Sequence, residues 1–257
     1  MYHSPRFLTA GDTGLVVEFG DTIDPAINRR VRELFLALAG SESRPYQATV
    51  QDRASAGLPI LDLIPTYRSL LITYDPLKIT FDDLRAAIER IEGGLGSATV
   101  PAPRILEVPT AYGGDFGPDL PFVASHNGLR EDEVVAIHAG TDYLVYMMGF
   151  SPGFPYLGGM SERIATPRLK TPRTVIPAGS VGIAQAQTGI YPVESPGGWQ
   201  LIGRTPLLLF DPSRTPPVLV EAGDSIRFTP ISAADYGALS TAIAAGAWQP
   251  RFLDVTQ

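Results

Sequence analysis

The stretch from Arg168 to Pro206 gathers side chains suited to holding a small polar ligand. Arg168, Arg173, Ser180, Gln187, Thr188, Tyr191, Glu194, Ser195, Trp199 and Arg204 alternate there with Gly179, Gly182, Gly189, Gly197, Gly198 and Gly203. Arginine forks bind carboxylate or phosphate through paired hydrogen bonds, and glycine lets backbone approach a ligand closely. Such a tract can wall a pocket for an anion. It also suits the rim of a β-barrel, with Tyr191-Pro192 and Ser195-Pro196-Gly197-Gly198 serving as turns and the arginines standing in solvent. Composition leaves both readings open.

Other chemistries are poorly supported. Gly149-Phe150-Ser151-Pro152-Gly153 fits the G-x-S-x-G pattern of a nucleophile elbow. However, Pro152 lacks the N–H that such an elbow lends to its oxyanion hole, and Pro155, Gly158 and Gly159 would stop the helix an elbow must open. His3, His126 and His138 all precede Ser151, against the usual order for that fold, and they are too dispersed for a histidine-built metal centre. No metal site is expected, and His138 reads as a structural residue on a helix near a domain edge. Lys78 and Lys170 each follow a leucine, so there is no Walker-type loop, and no G-x-G-x-x-G follows a strand. The chain has no cysteine, which removes thiolate catalysis and disulfide scaffolds.

Length and charge bound the partners. The 257 residues suffice for one large or two ordinary domains with a real core, 44% being apolar and 18% charged. A net charge of −7 argues against nucleic acid. The first residues lack a secretory apolar run, so the expected compartment is the cytoplasm. Tyr143–Ser161 and Thr174–Val193 are uncharged but broken by Pro and Gly, and read as buried, turn-rich β structure rather than membrane spans.

The elements that would position the tract fall into two halves. Gly plus Pro number 13 in residues 1–95 and 37 in residues 96–257, with a connector-like Gly93-Gly94-Leu95-Gly96-Ser97 between them. We therefore expect domains at 1–96 and 97–257. The first half shows a strand at Leu15–Phe19 and a helix capped by Asp24 with Pro25 at its first position. Strands at Ile60–Ile64 and Ser69–Tyr74 follow, then a helix capped by Thr80 and a last strand at Arg104–Val108. That order, β-α-β-β-α-β, is a split βαβ, ferredoxin-like sandwich, giving an α+β fold class. The second half opens with a helix at Glu131–His138. Short apolar runs follow at Tyr143–Met147, Val181–Ala184, Trp199–Ile202, Leu207–Phe210, Val218–Val220 and Ser225–Thr229, and a final helix is capped by Ser232. Many short strands between turns indicate a barrel or sandwich.

Longer motifs carry a family resemblance. Pro65-Thr66-Tyr67-Arg68-Ser69-Leu70, Gly117-Pro118-Asp119-Leu120 and Gly149-Phe150-Ser151-Pro152-Gly153-Phe154-Pro155-Tyr156-Leu157 resemble the B-subunit family of prokaryotic 5-oxoprolinase. Pro177-Ala178-Gly179-Ser180-Val181, Gln187-Thr188-Gly189-Ile190-Tyr191-Pro192, Ser195-Pro196-Gly197-Gly198-Trp199 and Gly203-Arg204-Thr205-Pro206 extend the likeness. This family includes the sporulation-kinase inhibitor KipI and proteins called allophanate hydrolase subunit 1, and it is related to the carboxyltransferase region of urea carboxylase. The resemblance implies a ferredoxin-like first domain and a cyclophilin-like β-barrel second domain. It also implies ATP-dependent opening of 5-oxo-L-proline to L-glutamate with two partner subunits, one carrying a second barrel, the chain being inactive alone. ATP would serve the assembled complex.

On that reading Arg168, Arg173 and Arg204 clamp a carboxylate or phosphate, while Ser180, Gln187 and Tyr191 orient the amide. Ser195, Gly197, Gly198 and Trp199 complete the substrate site, and Glu194 is the candidate acid/base beside Tyr191. The alternatives are a KipI-like inhibitor that binds a sensor histidine kinase, and an allophanate or urea carboxylase-type carboxyltransferase subunit. Arg44–Leu58 is longer and more polar than the family pattern leads us to expect.

Overall fold

The computed structural model describes residues 1–39, 57–95 and 104–254. Gly96 and Ser97 of the expected connector, and all of the polar stretch Arg44–Leu58 but its last two residues, therefore lie outside the described residues. The chain divides into two compact units, Met1–Ala102 and Pro103–Gln257.

In the first unit the elements are β1 (Arg6–Thr9), β2 (Gly14–Glu18), α1 (Pro25–Ala39), β3 (Ile60–Pro65), β4 (Ser69–Tyr74) and α2 (Phe81–Gly93). Helix α1 begins where Asp24 accepts the Ala26 N–H at 2.7 Å, and α2 where Thr80 accepts the Asp83 N–H at 3.2 Å, each satisfying a donor the helix cannot use. Alternation along β2 and β4 turns Leu15, Val17, Leu70, Ile72 and Tyr74 to one face. There they meet Ile27, Val31, Leu34 and Leu38 of α1 and Leu84 and Ile88 of α2. Each such fully buried side chain is worth about 1.5–3 kcal/mol relative to exposure. Arg30 of α1 and Glu92 of α2 form an ion pair.

The strands are antiparallel in the order β1-β2-β4-β3. This corrects the expected β-α-β-β-α-β chain order. The edge strand beside β2 is the N-terminal Arg6–Thr9, and the Arg104–Val108 strand belongs to the other unit's sheet. Its pairing there is decided by a parallel ladder with residues 225–231, a partner far along the chain that local composition does not reveal.

The second unit contains β5 (Arg104–Tyr112), α3 (Leu120–His126), α4 (Glu131–Ala139), β6 (Asp142–Met148), β7 (Pro155–Gly158), β8 (Arg173–Ile176) and β9 (Ser180–Ala184). After these come β10 (Gln187–Ile190), β11 (Ser195–Gly197), β12 (Gln200–Arg204), β13 (Ser225–Ile231), α5 (Ala233–Ala244) and β14 (Phe252–Asp254). The main sheet runs β10-β9-β12-β5-β13-β6-β7, with β14 also on β5. Its end strands β10 and β7 approach each other, so the sheet is nearly closed into a barrel. Val108, Tyr143, Val145, Val181, Ile183, Ile202, Ile226 and Phe228 fill it. A separate ribbon pairs β8 with β11.

Leu207–Phe210 and Val218–Val220, expected as strands, form only an isolated bridge between Phe210 and Val218. Pro206, Pro212, Pro216 and Pro217 remove ladder donors there. The Arg214 guanidinium holds this loop by donating to the carbonyls of Leu208, Leu209, Pro216 and Pro217. No described helix is long and apolar enough to cross a membrane.

His138 lies on α4 as expected, but in the interior, with 0% exposure, rather than near an edge. Thr188 Oγ1 donates to the Gly182 carbonyl (3.0 Å), so it accepts from His138 Nε2–H (2.8 Å), and Nδ1 accepts the Tyr112 hydroxyl (2.8 Å). Burial lowers its pKa from 6.5 to about 3. Between those values the unfolded chain binds a proton that the folded protein does not, so stability rises with pH across the window and is lost as pH falls through it. The full difference amounts to about 5 kcal/mol, at most about 1.4 kcal/mol per pH unit. In denaturant titrations at pH 7, 5.5 and 4, His138→Gln should flatten this dependence by about 1 kcal/mol per pH unit. An unchanged slope would remove His138 as its source.

Candidate functional site

A cavity of about 180 Å³ opens on the second unit, lined by Phe150, Phe154, Tyr156, Arg168, Gln187, Tyr191, Pro196, Gly197, Gly198 and Trp199. Four local structures build it, one of them the irregular stretch before β8 that carries Arg168. The β6–β7 turn brings Phe150 and Phe154, and β7 adds Tyr156. Strand β10 presents Gln187 at its start and leads into Tyr191. The β11–β12 corner supplies Pro196 to Trp199.

Aromatic edges meet faces throughout. Phe154 stands at 63° to Tyr156 (5.3 Å between centroids), at 83° to Tyr191 (5.9 Å) and at 89° to Trp199 (5.8 Å). These arrangements place positive ring edges against negative faces and fix the wall. The Arg168 guanidinium lies 6.0 Å over the Trp199 ring.

Glycines make the wall possible by leaving room for the rings. A Cβ on Gly189 would lie 3.0 Å from Trp199 Cζ3, and one on Gly197 would lie 2.4 Å from the Tyr191 hydroxyl oxygen and 2.9 Å from Ile176 Cδ1. Gly197→Ala should therefore displace the Tyr191 phenol. We expect a stability loss of about 1–3 kcal/mol in chemical denaturation, together with weaker ligand binding; unchanged stability would mean that the phenol has room to move.

Burial raises the Tyr191 pKa, against the smaller lowering effects of a backbone hydrogen bond from Trp199 and the charges of Arg168 and Arg173. Tyr191 is thus a protonated donor at neutral pH rather than a base.

Of the candidate residues read from the sequence, Arg168, Gln187, Tyr191, Gly197, Gly198 and Trp199 meet at this cavity. The other two arginines are engaged elsewhere. Arg173 Nη2 donates to Asp119 Oδ1 at 2.8 Å, and its Nη1 donates to the Trp199 carbonyl at 3.4 Å. Arg204 Nε donates to the Ala178 carbonyl at 3.1 Å. Ser180 is buried within β9, Ser195 carries a buried hydroxyl without a partner among the described residues, and Glu194 is exposed; none of the three is among the lining residues.

Phe150, Phe154, Tyr156 and Pro196 are lining residues that residue type alone does not single out. The signal for most of them is the Gly149–Leu157 motif, whose likeness to a nucleophile elbow draws attention to its serine instead of its rings. Ser151 sits in a hairpin turn between two strands, not at a strand-to-helix turn. Asp119 is a second organiser that its Gly117–Leu120 motif does not mark as part of the site: besides Arg173 it accepts the Leu201 N–H at 2.7 Å, tying the start of α3 to β12. Among the described residues no cluster of three or more His, Asp and Glu could hold a metal ion.

Comparison with known proteins agrees with this architecture. The chain is 43% identical over 230 residues to a Bacillus subtilis (strain 168) protein named as the B subunit of 5-oxoprolinase, covering 89% of this chain and 93% of that one. An Escherichia coli O157:H7 protein of the same name is 53% identical over 146 residues, 56% of this chain and 67% of that one. The crystal structure of the Kluyveromyces lactis urea amidolyase superposes with a TM-score of 0.74 at 21% identity, covering 97% of this chain and 16% of that chain, a likeness of fold. A family model described as carboxyltransferase domain, subdomain C and D, matches residues 5–220. The chain belongs to that family of carboxyltransferase C and D subdomains.

Proposed function

We propose that this chain is the substrate-holding subunit of a cytoplasmic, ATP-dependent 5-oxoprolinase, opening 5-oxo-L-proline to L-glutamate together with two partner subunits, one of them carrying a second barrel. The observation that carries the proposal is the cavity itself, in which one guanidinium, one side-chain amide and one protonated phenol stand around an aromatic wall. Likeness over most of the chain to a protein named as the B subunit of 5-oxoprolinase supports it. In the same reading the barrel unit is cyclophilin-like, and the first unit is a ferredoxin-like sandwich whose edge strand comes from the N-terminus.

The cavity is smaller than the roughly 300–1,000 Å³ of drug-sized sites, and suits a single five-membered ring bearing one carboxylate. Arg168 pairs with the carboxylate, Gln187 hydrogen-bonds the lactam, and Tyr191 donates to the lactam oxygen as charge develops there. Edge and face contacts from Phe154 and Trp199 exclude water. Glu194, outside the lining, takes no part in this step.

A triphosphate does not fit this site. Among the described residues Arg168 is the single cation in the lining, and the Arg173 charge is already matched by Asp119. ATP is therefore assigned to a partner, and activation of the lactam oxygen occurs where the two polypeptides meet. Co-expression with the partner subunits should give a complex that releases glutamate from 5-oxoproline only when ATP is supplied. A folded, fully assembled complex without such turnover would overturn the reading, and inhibition of a sensor histidine kinase by the same protein would replace it with the inhibitor alternative.

A further inference from the structure

Phe150 carries two uncompensated costs. Its backbone φ is +63°, in the left-handed region that bulky side chains avoid, and its ring is 76% exposed. The other described non-glycine residue with positive φ, Gln185 at +55°, is accounted for by the two-residue turn that joins β9 to β10. The turn at 150 would be served better by glycine, which takes this conformation freely and already stands at positions 149 and 153. The neighbouring Ser151 adds another cost, a buried hydroxyl without a hydrogen-bond partner among the described residues.

The turn is nevertheless held firmly. Gly149 N–H donates to the Phe154 carbonyl (3.1 Å), Ser151 N–H to the Gly149 carbonyl (2.7 Å) and Phe154 N–H to the Ser151 carbonyl (3.1 Å). Gly153, at φ +79°, is so close to Phe210 that a Cβ there would lie 2.7 Å from the Phe210 Cβ. A strained residue fixed this way is aimed. Its ring lines the cavity, edge-to-face with Phe154 at 5.9 Å and 74°.

We propose that Phe150 is a binding residue that covers the outer face of the bound ring and keeps water from the lactam, its strain being retained because the side chain is needed at that spot. The inference rests on the assignment of the cavity as the 5-oxoproline site. Strain gives it a signature that an ordinary packing residue would lack: removing the side chain should relieve the backbone while impairing binding.

The test compares Phe150→Gly, Phe150→Tyr and Arg168→Ala within the assembled, ATP-supplied complex, together with the melting temperature of each variant chain. Phe150→Gly should raise KM for 5-oxoproline at least tenfold, with kcat changed less, while its melting temperature stays level or rises by about 2–4 °C. Phe150→Tyr should restore KM to within about threefold, since the ring face is retained. An unchanged KM in Phe150→Gly overturns the proposal, and so does a higher KM accompanied by a fall in melting temperature, which would make Phe150 a packing element. If Arg168→Ala raises KM and Phe150→Gly does not, this proposal fails and the cavity assignment stands. If neither moves KM, the assignment fails and takes the proposal with it.

Discussion

Replacing Arg168 by alanine in the assembled complex should lower kcat/KM for 5-oxoproline by about tenfold to a hundredfold, the range for removing a hydrogen bond to a charged group. The expectation follows from position. Arg168 supplies the cavity lining with its positive charge, it stands over the Trp199 ring, and its backbone lies in an irregular stretch outside any strand. Its side chain is exposed, so truncation leaves little buried surface unfilled and the melting temperature should move by less than about 2 °C. Arg168→Lys should recover only part of the loss, because an ammonium keeps the charge but not the paired donors that match a carboxylate. Steady-state kinetics of the three proteins decide the matter. A wild-type kcat/KM in Arg168→Ala would mean that the substrate carboxylate is bound elsewhere.

Gly117→Ala should act on folding rather than on binding. A Cβ at position 117 would lie 2.0 Å from the Ile202 carbonyl oxygen and 2.7 Å from the Gly203 nitrogen, and both are backbone atoms of β12 that cannot rotate away. The same stretch is fixed by hydrogen bonds from Gly113 N–H to the Ile202 carbonyl (3.1 Å) and from Asp119 N–H to the Leu201 carbonyl (2.9 Å). Relief therefore requires separating the turn before α3 from the barrel wall. This variant should lose about 3 kcal/mol or more, by overpacking together with broken buried hydrogen bonds. Urea unfolding of the isolated chain measures it, and a loss below about 1 kcal/mol would show that the turn can shift without parting from β12.

The contrast between the two variants reflects what a sequence can carry. Regular elements are legible where period and caps agree: Asp24 and Thr80 mark the starts of α1 and α2, and Ser232 that of α5, whose Asp235 N–H it accepts at 3.1 Å. The N-terminal strand β1 is not legible, because four residues containing Arg6 and Thr9 give no alternation to read. The pairing of Arg104–Tyr112 is not legible either, since its parallel partner is β13.

At the site, polar residues interleaved with glycine point to Arg168, Gln187, Tyr191 and Trp199. The three arginines nevertheless look alike in sequence. Arg173 differs from Arg168 through Asp119, 54 residues away, and Arg204 through a backbone carbonyl that has no signature in residue type. Phe150 and Phe154 escape for a different reason: aromatic residues beside glycines read equally well as core, and neither the left-handed backbone of Phe150 nor its exposure is written in composition.

Whether the aromatic cavity, with Arg168 at its edge, holds the substrate can be read by labelling this chain alone with 5-fluorotryptophan, assembling it with unlabelled partner subunits, and recording fluorine spectra during titration with 5-oxo-L-proline. Trp199 lines the cavity, whereas Trp248 lies in a separate groove with Leu207, Ile243 and Phe252, so the two resonances report on different places. Binding in the cavity should give a saturable shift of the Trp199 resonance, with Trp248 unmoved, and in Arg168→Ala the same shift should need at least about tenfold more 5-oxoproline. A complex that turns over 5-oxoproline while the Trp199 resonance stays still would contradict binding there.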